Sequence, residues 1–221
     1  MTLATGQVYR LPLRGVNAYL VDDGERTLVD AGTPWDATRL RRLLGEAGLS
    51  PEDLDRVLLT HYDLDHVGGL ASLDPSCPVY LAEPDASYLT GRRRPPLTNR
   101  KGLFHRLTGP LLDPGTVDPD PVEDGDRIGG FRAVRAPGHT PGHTAYLHDD
   151  LGVAILGDAV RESDGELVPP PWLLTADAAT NRRSIRTLAA RAGSFDVVTV
   201  GHGDPVRKNG GEALRALVAE L

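Results

Sequence analysis

The chain has 221 residues, one Cys and a formal net charge of −7. A single Cys excludes an internal disulfide framework and any multi-Cys zinc site, and the acidic balance argues against a general nucleic-acid binder, which needs a positive surface to attract phosphate. With 40% hydrophobic and 25% charged residues, disorder over the whole length is excluded as well.

At about 150 residues per domain, the length suits one large domain spanning 1–221. The first eight residues carry neither a basic start nor an apolar run, so a secretory signal is not expected. No stretch reaches the ~18 consecutive apolar residues of a membrane span, so the expectations are a cytoplasmic location and no membrane partner.

In chain order, residues 8–11, 16–21 and 27–29 are short, partly alternating runs separated by Gly15 and Asp23-Gly24, the pattern of an antiparallel meander. Thr33-Pro34 reads as an N-cap with proline at the first helical position. Leu40, Leu43, Leu44 and Ala47 follow at helical spacing until Gly48. Residues 57–60 read as a buried strand, 61–69 as a loop running into a helix, and 79–82 as another strand. Residues 83–125, rich in Pro, Gly and Arg, read as a long, partly helical excursion lying over one face, a length of loop that is usually functional or mobile. Further strands are expected near 127–128, 131–136, 144–147, 153–156 and 197–200. A helix over 177–192 carries Ile185, Leu188, Ala189 and Ala192 on one stripe, closed by Gly193. A last helix carries Leu214, Leu217, Val218 and Leu221. Strands then helix, twice over, predicts two packed sheets with helices outside.

The densest chemical signal is Thr60-His61-Tyr62-Asp63-Leu64-Asp65-His66. In an extended segment, His61 and Asp63 project to one side, while Asp65 and His66, beside the chain reversal, can point elsewhere, so one loop can serve two neighbouring ions. Gly68-Gly69 allows close backbone packing beneath it. His139, Asp158 and His202 each follow an apolar strand, which places polar side chains on loops held by a rigid scaffold. Taken singly, His202 reads as a turn residue, Asp158 as a cap, and Asp63 and Asp65 as a solvated helix start. Taken together they read as metal ligands. Five of the seven histidines lie in these motifs; His105 and His148 fall outside them.

These motifs, in this order, resemble those of the metallo-β-lactamase superfamily across nearly the whole chain. Leu28-Val29-Asp30-Ala31-Gly32 resembles the first, His61-Tyr62-Asp63-Leu64-Asp65-His66 the signature His-x-His-x-Asp-His loop, Pro137-Gly138-His139-Thr140-Pro141-Gly142-His143 the third, Gly157-Asp158 the fourth and Gly201-His202 the fifth. The resemblance implies an α/β fold, a four-layer αββα sandwich, with a dinuclear site at one edge. It implies a first metal on His61, Asp63 and His139, a second on Asp65, His66 and His202, and Asp158 as the bridge, with Asp30 and His143 supporting the ligands from behind. The departure is Asp63, where the usual signature has His. Zinc is the first expectation for the two divalent ions, because Asp is an ordinary zinc ligand. The harder, more anionic donor set makes iron or manganese the alternative.

The expected reaction is hydrolysis. Two cations acidify a water, the resulting hydroxide attacks a small ester, lactone or thioester, and Asp65 or Asp158 takes the proton. No protein nucleophile is required, and no Gly-x-Ser-x-Gly elbow is present. Two other readings stay open, an iron-dependent oxidoreductase of the same fold (a sulfur dioxygenase or a di-iron enzyme) and a non-catalytic binding module. The expected partner is a small-molecule substrate; oligomeric state is not readable. Arg92, Arg93, Arg94, Arg100 and Lys101 read first as a solvated loop, with contact to an anionic substrate as the alternative.

Overall fold

Short strands that are apolar on both faces must be covered on both sides, and this chain meets that demand with two stacked sheets and a helical layer outside each. The computed structural model describes residues 2–4, 6–112, 115–192 and 194–221. Strands β1 (Thr2–Ala4), β2 (Val8–Pro12), β3 (Asn17–Asp22) and β4 (Arg26–Val29) form the expected antiparallel meander. After helix α1 (Ala37–Glu46), β5 (Arg56–Leu58) joins the sheet parallel to β4. Helices α2 (Leu64–Val67) and α3 (Leu70–Leu73) lead to β6 (Val79–Tyr80), parallel to β5.

The excursion contains α4 (Asp85–Leu89) and α5 (Arg100–Thr108). The second sheet follows with β7 (Arg127–Ile128), β8 (Phe131–Arg135), β9 (Thr144–His148) and β10 (Val153–Ile155), paired antiparallel in turn. A hairpin of β11 (Arg161–Ser163) and β12 (Glu166–Val168) precedes α6 (Ala178–Arg191). Strand β13 (Val197–Thr199) then pairs parallel with β10, and α7 (Gly210–Glu220) ends the chain.

Period-two alternation sorts each strand between two cores. Tyr19, Val21, Val29 and Leu58 of the first sheet meet Phe131, Tyr146, Ile155 and Val197 of the second. The opposite faces, with Ala18, Leu20 and Val57, pack under Leu40 and Leu44 of α1 and Leu70 of α3. Ala145, Leu147 and Val198 pack under Ile185, Leu188, Leu214 and Leu217 of α6 and α7. This is the αββα sandwich that the strand-and-helix order predicted.

Two local expectations differ from the structure, and one lies outside what is described. Thr33-Pro34 does not start α1. Its N-cap is Asp36, whose carboxylate accepts from the Thr33 N–H and hydroxyl at 3.1 and 2.6 Å, so the three residues before the helix are spent on a side-chain-closed turn. The β11–β12 hairpin is absent from the sequence reading because its strands are too polar to show an apolar period. Asp164-Gly165, with φ of 56° and 88°, is nonetheless a strong hairpin-turn signal. Gly193, expected to close α6, lies outside the described residues. No helix among the described residues is long and apolar enough to cross a membrane.

The glycine pair behaves as expected. A Cβ on Gly69 would sit 2.1 Å from the Ala31 carbonyl oxygen, and one on Gly68 would sit 2.3 Å from the Pro34 ring. The backbone of α2–α3 therefore lies directly against the loop after β4. Gly69→Ala should force that contact apart and lower stability by about 1–3 kcal/mol, read as a fall in the thermal unfolding midpoint. An unchanged midpoint would show that the loops are not held at this distance.

Candidate metal centre

Parallel and antiparallel pairing bring four strand ends to one edge of the sandwich. The β10–β13 pair continues past its strands through Gly201 N–H to Gly157 C=O (3.0 Å), and the sheets are joined at this edge by Thr144 N–H to Thr60 C=O (2.8 Å) and Asn17 N–H to Gly201 C=O (2.8 Å). Two buried tyrosines cross between the sheets in opposite senses. Tyr146 donates to the Leu59 carbonyl at 3.0 Å, two residues before His61, and Tyr19 donates to the Val200 carbonyl at 2.8 Å, two residues before His202.

All seven side chains that the sequence singles out as ligands meet there. His61, Asp63, His139 and Asp158 form one group, and Asp65, His66 and His202 a second, with the donor atoms of each group within 4.8 Å of one another. His61 Nε2 lies 3.2 Å and His139 Nε2 3.1 Å from Asp63 Oδ2. His202 Nε2 lies 3.3 Å from Asp65 Oδ2 and 3.2 Å from Asp158 Oδ2. Asp158 stands between the groups, 3.4 Å from His66 Nε2 through Oδ1 and 3.5 Å from His139 Nε2 through Oδ2.

The outer partners aim these groups inward. Asp30, with φ of 62°, accepts from the Thr60 N–H at 2.8 Å and from His66 Nδ1 at 2.8 Å. His202 Nδ1 donates to the Gly15 carbonyl at 2.7 Å. Both imidazoles therefore present an unprotonated Nε2 when neutral. His143 lies behind Asp158 and accepts its backbone N–H through Nε2 at 3.1 Å. Asp30 and His143 thus touch the cluster from outside it. His61 Nε2, His66 Nε2 and Asp158 Oδ1 are buried without a hydrogen-bond partner among the described residues. Orphaned inward-facing nitrogen and carboxylate atoms of this kind fit a metal ion.

Electrostatics point the same way. Burial alone would raise the Asp158 carboxyl and lower His66, yet the pairing reverses both: Asp158 is held well below the usual carboxylate range by His66 and His202, and His66 well above the usual imidazole range by Asp30 and Asp158. His202 is likewise pushed up to about 10 against its burial by hydrogen bonds to Asp158 and Asp65. The carboxylates draw positive charge to this edge.

Three contributors escape the sequence reading. Lys101 and His105, from α5, both reach Asp63: the Lys101 ammonium donates to Oδ2 and to His139 Nε2, the latter at 3.0 Å, and His105 Nε2 pairs with Oδ1. The expectation of a solvated basic loop is thus wrong for Lys101, which is 3% exposed. It does describe Arg92, which pairs at the surface with Asp118 at 3.0 Å. The missed signal is spacing, since residues four apart behind a helix N-cap such as Asn99 share a face. His148, the other histidine outside the motifs, pairs with Asp23 at 2.8 Å, away from the site.

The third is Asp85, fully buried on α4. It accepts from Tyr62 N–H (2.9 Å), Thr140 hydroxyl (2.6 Å) and Gly142 N–H (2.7 Å), tying the His61 loop to the His139 loop. Asp85→Asn should leave one amide facing another donor and cost about 1–3 kcal/mol, with weaker retention of bound metal as the His61 and His139 loops loosen. Thermal unfolding with and without added metal checks both effects.

The sequence profile described as the metallo-beta-lactamase superfamily matches residues 11–202. The chain is 28% identical over 245 residues to the probable metallo-hydrolase YflN of Bacillus subtilis (strain 168), covering 97% of this chain and 89% of that one. It is 30% identical over 202 residues to thioesterase pkgB of Emericella nidulans, covering 89% of this chain and 48% of that one. Among solved structures, TTHA1623 in a di-iron-bound form superposes with a TM-score of 0.69 at 30% identity, covering 91% of this chain and 93% of that one. With the fold, the five motifs in order and a profile match over most of its length, the chain belongs to the metallo-β-lactamase superfamily.

Proposed function

We propose that this chain, a hydrolase of the metallo-β-lactamase fold, cleaves a small ester, lactone or thioester with a water activated at the centre formed by His61, Asp63, Asp65, His66, His139, Asp158 and His202. The observation that carries the reading is the convergence of these side chains, with orphaned Nε2 and carboxylate atoms facing one another, at the mouth of a cleft. His139, Asp158 and His202 line a cavity of about 230 Å³ whose other walls include Arg161, Pro171 and Leu174. A space of this size suits a small substrate. The names of YflN and pkgB, a metallo-hydrolase and a thioesterase, support the reaction class.

With a divalent metal bound, zinc by preference, the centre would supply a water acidic enough to attack a carbonyl at neutral pH and a positive field for the oxyanion. The residues that would hold metal are Asp65, His66 and His202 in one group and His61, Asp63 and His139 in the other, with Asp158 between them. Asp65 and Asp158, both beside His202 Nε2, would take the proton of the water. Asp65 is about one-third exposed, so it can pass that proton on to solvent. Arg161 and the apolar wall of Pro171 and Leu174 line the same cavity as His139, Asp158 and His202 and would orient the substrate there. Cys77 takes no part: it packs beneath the first sheet, away from the centre, and burial pushes its thiol up.

Asp63 favours a second reading of the metal. It puts an oxygen donor in the first group, and TTHA1623 is solved with two irons, so iron is the alternative occupant and an iron-dependent oxidoreductase the alternative enzyme. Elemental analysis of the purified chain, paired with ester, lactone, thioester and β-lactam substrates, separates the two. Zinc with hydrolysis supports the proposal, and redox-active iron with no hydrolysis overturns it. Asp158→Ala should fold, lose bound metal and lose about 100-fold or more in turnover; wild-type metal content and activity would remove Asp158 from the centre.

A further inference from the structure

We propose that the Lys101 ammonium is the resident cation of the first donor group, so that the chain holds one metal ion, at Asp65, His66, His202 and Asp158. The inference rests on the metal-centre reading above and fixes how many ions that centre takes.

Lys101 Nζ sits inside the first group. It contacts Asp63 Oδ2 and His139 Nε2, two atoms that an ion held there would need at about 2.0–2.2 Å. A divalent ion on those donors would lie within contact distance of the ammonium, and two cations that close in a buried site repel strongly. Both oxygens of Asp63 are already engaged, Oδ1 by His105 and Oδ2 by Lys101 and His139. Of the inward nitrogens of His61 and His139 and the oxygens of Asp63, His61 Nε2 alone lacks a hydrogen-bond partner among the described residues.

The lysine is not a surface side chain that has folded inward by chance. Asn99 caps α5 by accepting from Gly102 N–H at 2.7 Å. Gly102 lies so close to the Pro96 carbonyl that a Cβ would come within 1.8 Å of its oxygen. Arg106 Nε donates to the Pro95 carbonyl at 2.7 Å, and the Arg100 guanidinium stacks 4.5 Å above the Trp172 ring. The helix is clamped at both ends of the turn that carries Lys101, and His105 from the next turn reaches the same carboxylate.

The second group is arranged differently. Asp65 and His202 are each about one-third exposed and open to solvent, and His66 Nε2 and Asp158 Oδ1 carry no hydrogen bond among the described residues. Charge balance agrees. Asp63, Asp65 and Asp158 bring three negative charges, which one ammonium and one divalent ion neutralise, whereas a second divalent ion would leave an excess of two positive charges.

The test is metal stoichiometry, measured without reference to activity. Apo protein is incubated with excess Zn²⁺, desalted and analysed for zinc per chain. The wild type should retain one zinc and Lys101→Met two, with zinc raising the thermal midpoint of the variant more than that of the wild type. Lys101→Gln, polar and uncharged, repeats the measurement should the Met variant fold poorly. In the wild-type background Asp63→Asn should keep the single zinc and His202→Ala should lose it. Two zinc ions on the wild type, one on both Lys101 variants, or loss of the ion in Asp63→Asn would each overturn the proposal while leaving the hydrolase reading intact. No zinc on any form would overturn both.

Discussion

Two carboxylates removed from water at one edge of the sandwich, Asp63 and Asp158, set the terms for everything around them. An ionised carboxylate is stable in such a place only with opposite charge or several donors at hand. Asp63 has an ammonium and three imidazoles around it, and Asp158 has three imidazoles and the shared space between the two groups. The histidines respond in opposite ways. His61 is driven well below the usual imidazole range, by burial first and then by the neighbouring His66, while His66 is driven above it. Both shifts trace to the same buried cluster: burial and crowded imidazoles lower His61, and Asp30 and Asp158 raise His66.

Holding such a cluster requires backbone that cannot drift. The reciprocal bonds of Tyr19 and Tyr146 anchor the strand ends that lead to His202 and His61, and both phenols are fully buried, so neither can exchange its partner for water. Gly201 must be glycine for a related reason: a Cβ there would lie 2.1 Å from Asp158 Oδ1. The close approach of the β13 loop to Asp158 is thus a backbone-to-carboxylate contact, and the sheet pairing of β10 with β13 is what sets it.

Much of this was legible in the sequence for one physical reason. A ligand at a strand tip needs an apolar strand before it and a turn after it, and those are the two signals a chain displays most openly. His61, His139, Asp158 and His202 each carried both, and the structure brings them together. Asp30 and His143 were named through the resemblance; Asp30 pairs with His66 and His143 accepts the Asp158 backbone N–H. Lys101, His105 and Asp85 were not legible, because they come from a stretch whose Pro, Gly and Arg content hides its short helices. Nothing in a composition distinguishes a lysine bound for solvent from one bound for a buried carboxylate; that is decided by how α5 docks. The turn at Thr33 shows the same limit on a smaller scale, since Asp36 could close it only once the chain had bent.

The replacement at position 63 and the docking of α5 are therefore one feature seen from two ends. An imidazole presents a single inward nitrogen, which either binds a metal or accepts one hydrogen bond. A carboxylate presents two oxygens with several acceptor positions, enough to take Lys101, His105 and His139 at once. Asp63 without Lys101 would be a buried anion facing Asp158 across the centre, and Lys101 without Asp63 would be a buried ammonium against histidines alone. Each removes the desolvation cost of the other. The coupling also ties a helix from an otherwise Pro- and Arg-rich excursion closely to this edge, through Lys101 and His105 on Asp63.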